Sequence, residues 1–174
     1  PYDRVPPHRD IVATRIDALA ALTTSPSGSS PGRIVLTTVA AALQRVPRPE
    51  FLAGAALSIK AGDQLKPETL FEYLGRNGYG RTGAVSEAGE YAMRGGIVDL
   101  FPPGQAQPLR IDFFGDDIES LRVFDPLSQR STDRLDSITL RPVREFRLDA
   151  RSIELFRSRY RELFGAGSSE DPLY

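Results

Sequence analysis

The most ordered alternation of apolar and polar positions lies between Glu90 and Arg130, EYAMRGGIVDLFPPGQAQPLRIDFFGDDIESLRVFDPLSQR. It reads as short strands cut by tight turns. One apolar-rich strand is predicted over Arg94–Phe101, stopped by Pro102-Pro103-Gly104. A second covers Leu109–Phe114 and ends at a Gly115-Asp116-Asp117 turn, and a third, Ile118–Phe124, runs back until Asp125-Pro126. Alternate side chains of a strand point to opposite faces, so Leu109, Ile111 and Phe113 share the natural core face. Arg110, Asp112 and Phe114 share the other. A large aromatic beside an Arg is the chemistry of binding hot spots, where an apolar ring and a planar charged fork anchor a partner. Arg94 adds a second guanidinium to that patch if its strand pairs with Leu109–Phe114. Two plainer readings stay open from spacing alone: another part of the chain covers Phe114, or a bulge near Gly115 turns it inward.

Elsewhere the periodicity is mixed. Asp10–Leu22 has Val12, Ile16, Leu19 and Ala20 at helical spacing, with Asp10 placed to cap the helix. Thr23–Gly32 (TTSPSGSSPG) is a low-complexity loop expected to be mobile. Arg33–Thr38 is a β-branched run of the kind buried in parallel sheets, and Val39–Val46 turns helical. This helix, loop, strand and helix make only a piece of an α/β layer, since a single strand cannot form a sheet. Pro47–Gly54 is a loop and a candidate boundary. Beyond it, strands are predicted over Ala56–Lys60 and Asp136–Leu140, and helices over Pro67–Leu74 and Asp149–Phe164. The last helix carries Ile153, Phe156, Tyr160, Leu163 and Phe164 on one side and ends at Gly165. The tail, Ala166–Tyr174, is expected to be poorly ordered. The predicted fold class is α+β with a partial α/β segment: a small antiparallel module of hairpins with a few packed helices. The predicted divisions are 1–54, 55–142 and 143–174.

Composition narrows the function classes. The 174 residues suffice for one medium domain or two small ones, and 40% hydrophobic with 26% charged residues is ordinary for a globular protein. No apolar run approaches a bilayer span, so no membrane role is expected. The absence of Cys excludes disulfides and thiolate metal sites and suits a cytoplasmic protein. A net charge of −1 gives no global footprint for nucleic acid. The chain opens at Pro1 without Met, as a fragment of a larger protein would.

Candidate catalytic chemistry is sparse. Gly78-Tyr79-Gly80-Arg81-Thr82-Gly83 is a literal G-x-G-x-x-G, but a helix precedes it and strands follow, the reverse of the dinucleotide context. A flexible connection is the better reading. No P-loop motif is present, His8 is the single His, and Asp116-Asp117-Glu119 reads as a solvated turn rather than a metal cage. The arginines of the last helix interleave with Glu154 and Glu162, giving a mixed polar face. No catalytic constellation, cofactor site or metal site is predicted.

YAMRGGIVDLFPPG followed by PLRIDFFGDDIESLRVFDPLSQR resembles the UvrB homology module of the bacterial transcription-repair coupling factors, the Mfd family. A related pattern, an RG-x-(I/V)-V-(D/E)-(L/I)-FP strand with an FFGD(D/E)IE hairpin and a DP-L turn, occurs in domain 2 of UvrB. The Tyr-rich hairpin with which UvrB holds DNA has no counterpart here, because the chain passes directly from Pro1–His8 into a helix. The resemblance implies three parts: a partial RecA-like domain 1a (1–54), a UvrA-binding module (55–142) and the start of a returning domain 1b (143–174). It implies a docking module without catalysis that recruits excision repair to stalled RNA polymerase, and it places the UvrA contacts on Arg94, Arg110 and Phe114, with Asp112 and Arg122 in support. Asp112 is placed to orient Arg110, with a surface role in solubility as the equal alternative. In the full-length family, ATP and Mg, polymerase and double-stranded DNA are handled by other parts, and the protein's own C-terminal domain masks the docking face. The chain alone is expected to be monomeric. Two rivals stay open: a DNA-contacting fragment of the UvrB type, and a structural module packed inside its parent.

Overall fold

The structure is a computed structural model that describes residues 8–23, 34–147 and 149–165. The expected loop beyond Thr23, the first residue of the expected strand Arg33–Thr38, and the tail Ala166–Tyr174 lie outside the described residues.

The first helix, α1 (Arg9–Thr23), buries Ala13, Ile16 and Ala20 along one stripe and packs on α3 (Pro49–Ala53). Asp10 falls in its first turn rather than at the cap and accepts a hydrogen bond from the Gly104 amide (3.5 Å). Arg15 pairs with Glu145 (2.6 Å) and Asp17 with Arg141, which tie α1 to the segment after the last strand. No strand forms over residues 34–38. Ile34, Val35 and Leu36 are exposed, because the described residues supply no neighbouring strand to satisfy their backbone groups. The helix expected over Val39–Val46 shrinks to α2 (Val39–Ala42), capped by the Thr38 hydroxyl but burying nothing. A short amphipathic turn without a packing surface does not propagate. The expected loop Pro47–Gly54 contains α3, opened by Pro49 at its first turn.

Two sheets follow. β1 (Leu57–Lys60) pairs antiparallel with β8 (Ser137–Leu140), close to the expected strands. The larger sheet has β2 (Gly80–Arg81), β3 (Glu90–Arg94), β4 (Ile97–Leu100), β5 (Leu109–Phe114), β6 (Asp117–Phe124) and β7 (Ser131–Leu135) as successive neighbours. Only β2–β3 is parallel. Gly78–Gly83 therefore contributes an edge strand. Gly78, at φ +86°, lies just past the C-cap residue, Asn77, of α4 (Pro67–Arg76), and is packed by the Arg144 stem. That conformation favours a residue without Cβ. The last helix, α5 (Ala150–Phe164), is capped by Asp149, whose carboxylate accepts from the Ser152 amide (2.7 Å). Its expected stripe is present, but none of it is buried.

The main core lies between α4 and one face of the six-stranded sheet, with the two-stranded sheet closing it. Leu70, Tyr73 and Leu74 meet Val98, Leu100, Ile111, Ile118 and Leu121, with Ile59 and Leu140 at the side. Each fully buried aliphatic side chain contributes about 1.5–3 kcal/mol. Val85, Ala92 and Phe124, with Phe101 against them, form a second, smaller core on the opposite face of the sheet.

Two phenols lock this packing. The Tyr73 hydroxyl donates to the Ala55 carbonyl (2.7 Å) and the Leu140 carbonyl (3.0 Å), and Tyr79 donates to Arg141 O (2.8 Å). Burial pushes both phenols above their ordinary value of 10.0. Below about pH 10 both states keep the proton; above it the unfolded chain loses protons that the folded chain retains, so stability falls as pH rises. The urea midpoint should hold steady up to about pH 10 and decline beyond it, less steeply in Tyr73→Phe. At neutral pH, Tyr73→Phe should cost about 1–2 kcal/mol, measured by urea denaturation.

Candidate protein interface

The strand expected over Arg94–Phe101 is two strands. Gly95-Gly96 turns the chain between β3 and β4, with Arg94 opposite Ile97 and Gly95 at φ +60°. Gly96 is needed for a different reason: a Cβ there would stand 2.7 Å from the Phe113 carbonyl oxygen, while its own carbonyl accepts from the Phe113 amide (2.7 Å). The tip of the first hairpin is thus seated on the end of β5, beside Phe114.

Register then fixes the face. Asp99 lies opposite Arg110, and Ile97 opposite Asp112; across β5–β6, Arg110 faces Arg122, Asp112 faces Ser120 and Phe114 faces Asp117. A bulge between Asp112 and Phe113 leaves Glu119 as an extra residue of β6. It lets Leu121 and Ile118, three positions apart, both enter the core. Leu109 and Ile111 are buried, Phe113 packs against the same core, and Phe114 is 74% exposed. Phe113 points inward by the unbroken alternation of β5, the bulge does not bring Phe114 in with it, and no other described part of the chain covers the Phe114 ring.

Arg94, Arg110, Asp112, Phe114 and Arg122 share one side of the sheet, but their surroundings differ. Arg110 is only 17% exposed. Its Nε and Nη2 donate to the two oxygens of Asp99 (2.7 and 2.9 Å), and Nη1 reaches Ser131 Oγ (3.3 Å) and Gln129 O (3.4 Å). The guanidinium also lies 4.9 Å from the centre of the Phe124 ring. The hydrogen bonds that Arg110 donates to Asp99 raise its pKa above the already high ordinary value. Asp99 itself is 2% exposed. Arg94 is looser: its side chain is 54% exposed, its Nη2 stands 3.6 Å from Asp99 Oδ2, and it donates to Gln129 Oε1 (3.3 Å).

The expectation that Asp112 orients Arg110 is overturned. Asp112 accepts from Arg122 Nη2 (2.8 Å) and from the Ser120 hydroxyl, while Arg122 Nε reaches Ser120 Oγ (3.1 Å). The bidentate partner of Arg110 is Asp99, directly across the strand pair. Sequence reasoning passed over Asp99, although an acid alternating with the buried Val98 and Leu100 is a signal that a cation must face it. Gln129 was also missed. It has φ 58°, its amide nitrogen donates to Pro126 O (2.8 Å) and Val85 O (3.3 Å), and its oxygen accepts from Arg94.

The arrangement has the parts of a protein-recognition surface: an exposed ring at a hairpin tip, a half-free guanidinium beside it, and a rigid charged network beneath. Gly96→Ala tests the seating of the tip. It should destabilise the fold by about 1–3 kcal/mol in urea denaturation, with amide shifts concentrated at Phe113 and Phe114.

The UvrB interaction domain family matches residues 57–146, which include β1, α4 and both sheets. The transcription-repair-coupling factor of Escherichia coli strain K12 is 41% identical over 174 residues, all of this chain and 15% of that protein. The corresponding factor of Haemophilus influenzae is 42% identical over 165 residues, 95% of this chain and 14% of that protein. That of Bacillus subtilis is 35% identical over 136 residues, 78% of this chain and 11% of that protein. The chain thus spans 11–15% of the length of these curated relatives. With the hairpin sheet, its register and these relationships together, the chain belongs to the UvrB interaction domain family, as the UvrB-homology module of the transcription-repair coupling factors.

Proposed function

We propose that this module docks on UvrA, the excision-repair protein, and so links a transcription-repair coupling factor to the repair machinery at a stalled RNA polymerase. The observation that carries the reading is Phe114, a 74% exposed ring at a hairpin tip beside the half-exposed Arg94. Leaving such a ring in water makes sense where a partner covers it, with guanidiniums available to carboxylates or carbonyls at its rim. Arg94, Arg110 and Phe114 form the docking set, and Asp112 with Arg122 holds the adjoining strands. The role is binding, without catalysis in this chain; ATP, Mg, polymerase and double-stranded DNA belong to other parts of the parent, whose C-terminal domain masks this face. The site of action is the bacterial cytoplasm. Among the described residues no helix is long and apolar enough to cross a membrane.

The flanking segments 1–54 and 143–174 are proposed as pieces of a RecA-like domain interrupted by the hairpin module (55–142). Support comes from the exposed Ile34, Leu36, Phe156 and Phe164, which have the chemistry of a core whose remainder lies elsewhere in the parent.

Calorimetric titration of this chain with purified UvrA tests the docking reading. Phe114→Ala and Arg94→Ala should each weaken binding by at least about 2 kcal/mol, more than tenfold, with circular dichroism unchanged. Binding that is equal in wild type and both variants would move the interface elsewhere, and steeply salt-dependent binding to DNA would favour the UvrB-like alternative.

A further inference from the structure

Arg94 and Arg110 are alike in residue type and opposite in situation. Arg110 spends its fork on Asp99, its remaining nitrogen on Gln129 and Ser131, and its flat face on Phe124. Little of it is left to offer a partner. Arg94 makes one long contact to the same carboxylate and one hydrogen bond to Gln129, and more than half of its side chain is in solvent. Asp99 is thus a buried carboxylate shared between two guanidiniums, one fully committed and one partly free. Among the described residues neither guanidinium forms an ion pair with any other carboxylate, although the charge of Asp112 also favours the charged form of Arg110.

Resting on the UvrA-docking reading, we infer that Asp99 is a positioning residue of the interface, that Arg110 acts by holding the platform, and that Arg94 is the cation a partner's carboxylate meets. The physical reason lies in the register. Arg94 pairs with Ile97 at the hairpin tip, so Asp99 sits two residues further along the neighbouring strand, on the diagonal that a long side chain reaches. Its charge draws the Arg94 guanidinium back over the sheet, where Gln129 holds it. Without that charge Arg94 is a mobile side chain, and a partner must supply the ordering entropy. The same carboxylate fixes Arg110, which joins β5 to the 125–131 turn that carries Gln129. Asp99 therefore sets Arg94 in two ways, directly and through the turn.

A double-mutant cycle in UvrA affinity, with folding followed by circular dichroism, decides the matter. Asp99→Asn keeps the shape and removes the charge. It should weaken binding about tenfold or more while the chain remains folded. Arg94→Ala should then cost clearly less on the Asp99→Asn background than on the wild type, because a guanidinium no longer positioned has less to lose. A purely structural role for Asp99 would leave the Arg94→Ala factor the same on both backgrounds, and that outcome overturns the inference. So does undiminished affinity in Asp99→Asn. Should Asp99→Asn unfold, Arg110→Lys takes its place in the cycle, since it keeps the charge and removes the fork: a smaller Arg94→Ala factor on that background supports positioning, and the same factor as in the wild type overturns it. Failure of the docking reading is distinguishable, because the wild type would then not bind UvrA; in that case this inference falls with it.

Discussion

The fold of the hairpin sheet is arranged around one buried negative charge. Asp99 lies in a strand between Val98 and Leu100, both core, and its own side chain faces away from that core toward a second, smaller one. A carboxylate so enclosed is tolerated only with a cation in good geometry, and removing the partner of such a pair costs about 3–5 kcal/mol. Arg110 supplies the geometry from the adjacent strand, and the remaining guanidinium donor reaches the turn after β6. Register between β4 and β5, attachment of the 125–131 turn and the exposure of Arg94 all follow from satisfying that one group. An apolar pair there would hold the strands together as well; what it would not supply is a fixed charge pattern at the surface.

Much of this was legible in the residues. The strand β5 and its face assignment follow from simple alternation, since Leu109, Ile111 and Phe113 are all apolar and Arg110, Asp112 and Phe114 are not one type. The β5–β6 hairpin is marked by Gly115, and α5 begins one residue after its expected start at Asp149, which serves as its cap. Where the pattern misled, tertiary context had decided. Arg33–Thr38 has strand-like composition, but residues 34–38 have no neighbouring strand among the described residues, and composition alone does not make a sheet. The break at Gly95-Gly96 was written in the sequence as a two-glycine hairpin signal, yet the apolar residues on either side disguised it as one long strand. β7, Ser131–Leu135, is a polar edge strand whose residues carry no alternation to detect.

The site was half legible. Residue types and alternation located Arg94, Arg110 and Phe114 on one face, but not how differently the two arginines are held. Which carboxylate meets which guanidinium depends on cross-strand register, and Asp99 and Asp112 differ by only one step along the face. A bulge at Glu119 adds to the difficulty, because it changes which residues of β6 point inward without leaving a mark in composition.

The five strands β3 to β7 form a meander in which each neighbour in sequence is a neighbour in space. The consequence is kinetic. The successive strand pairings beneath the patch each close over a short stretch of chain, although the Arg94–Gln129 contact spans the whole meander, so the loop-closure entropy of assembling the sheet is small. Hairpins of this kind form on the microsecond scale, whereas the pairing of β1 with β8 spans nearly the whole module. The strand pairings that carry the patch are therefore assembled at a lower entropic cost than the long-range pairing that closes the module.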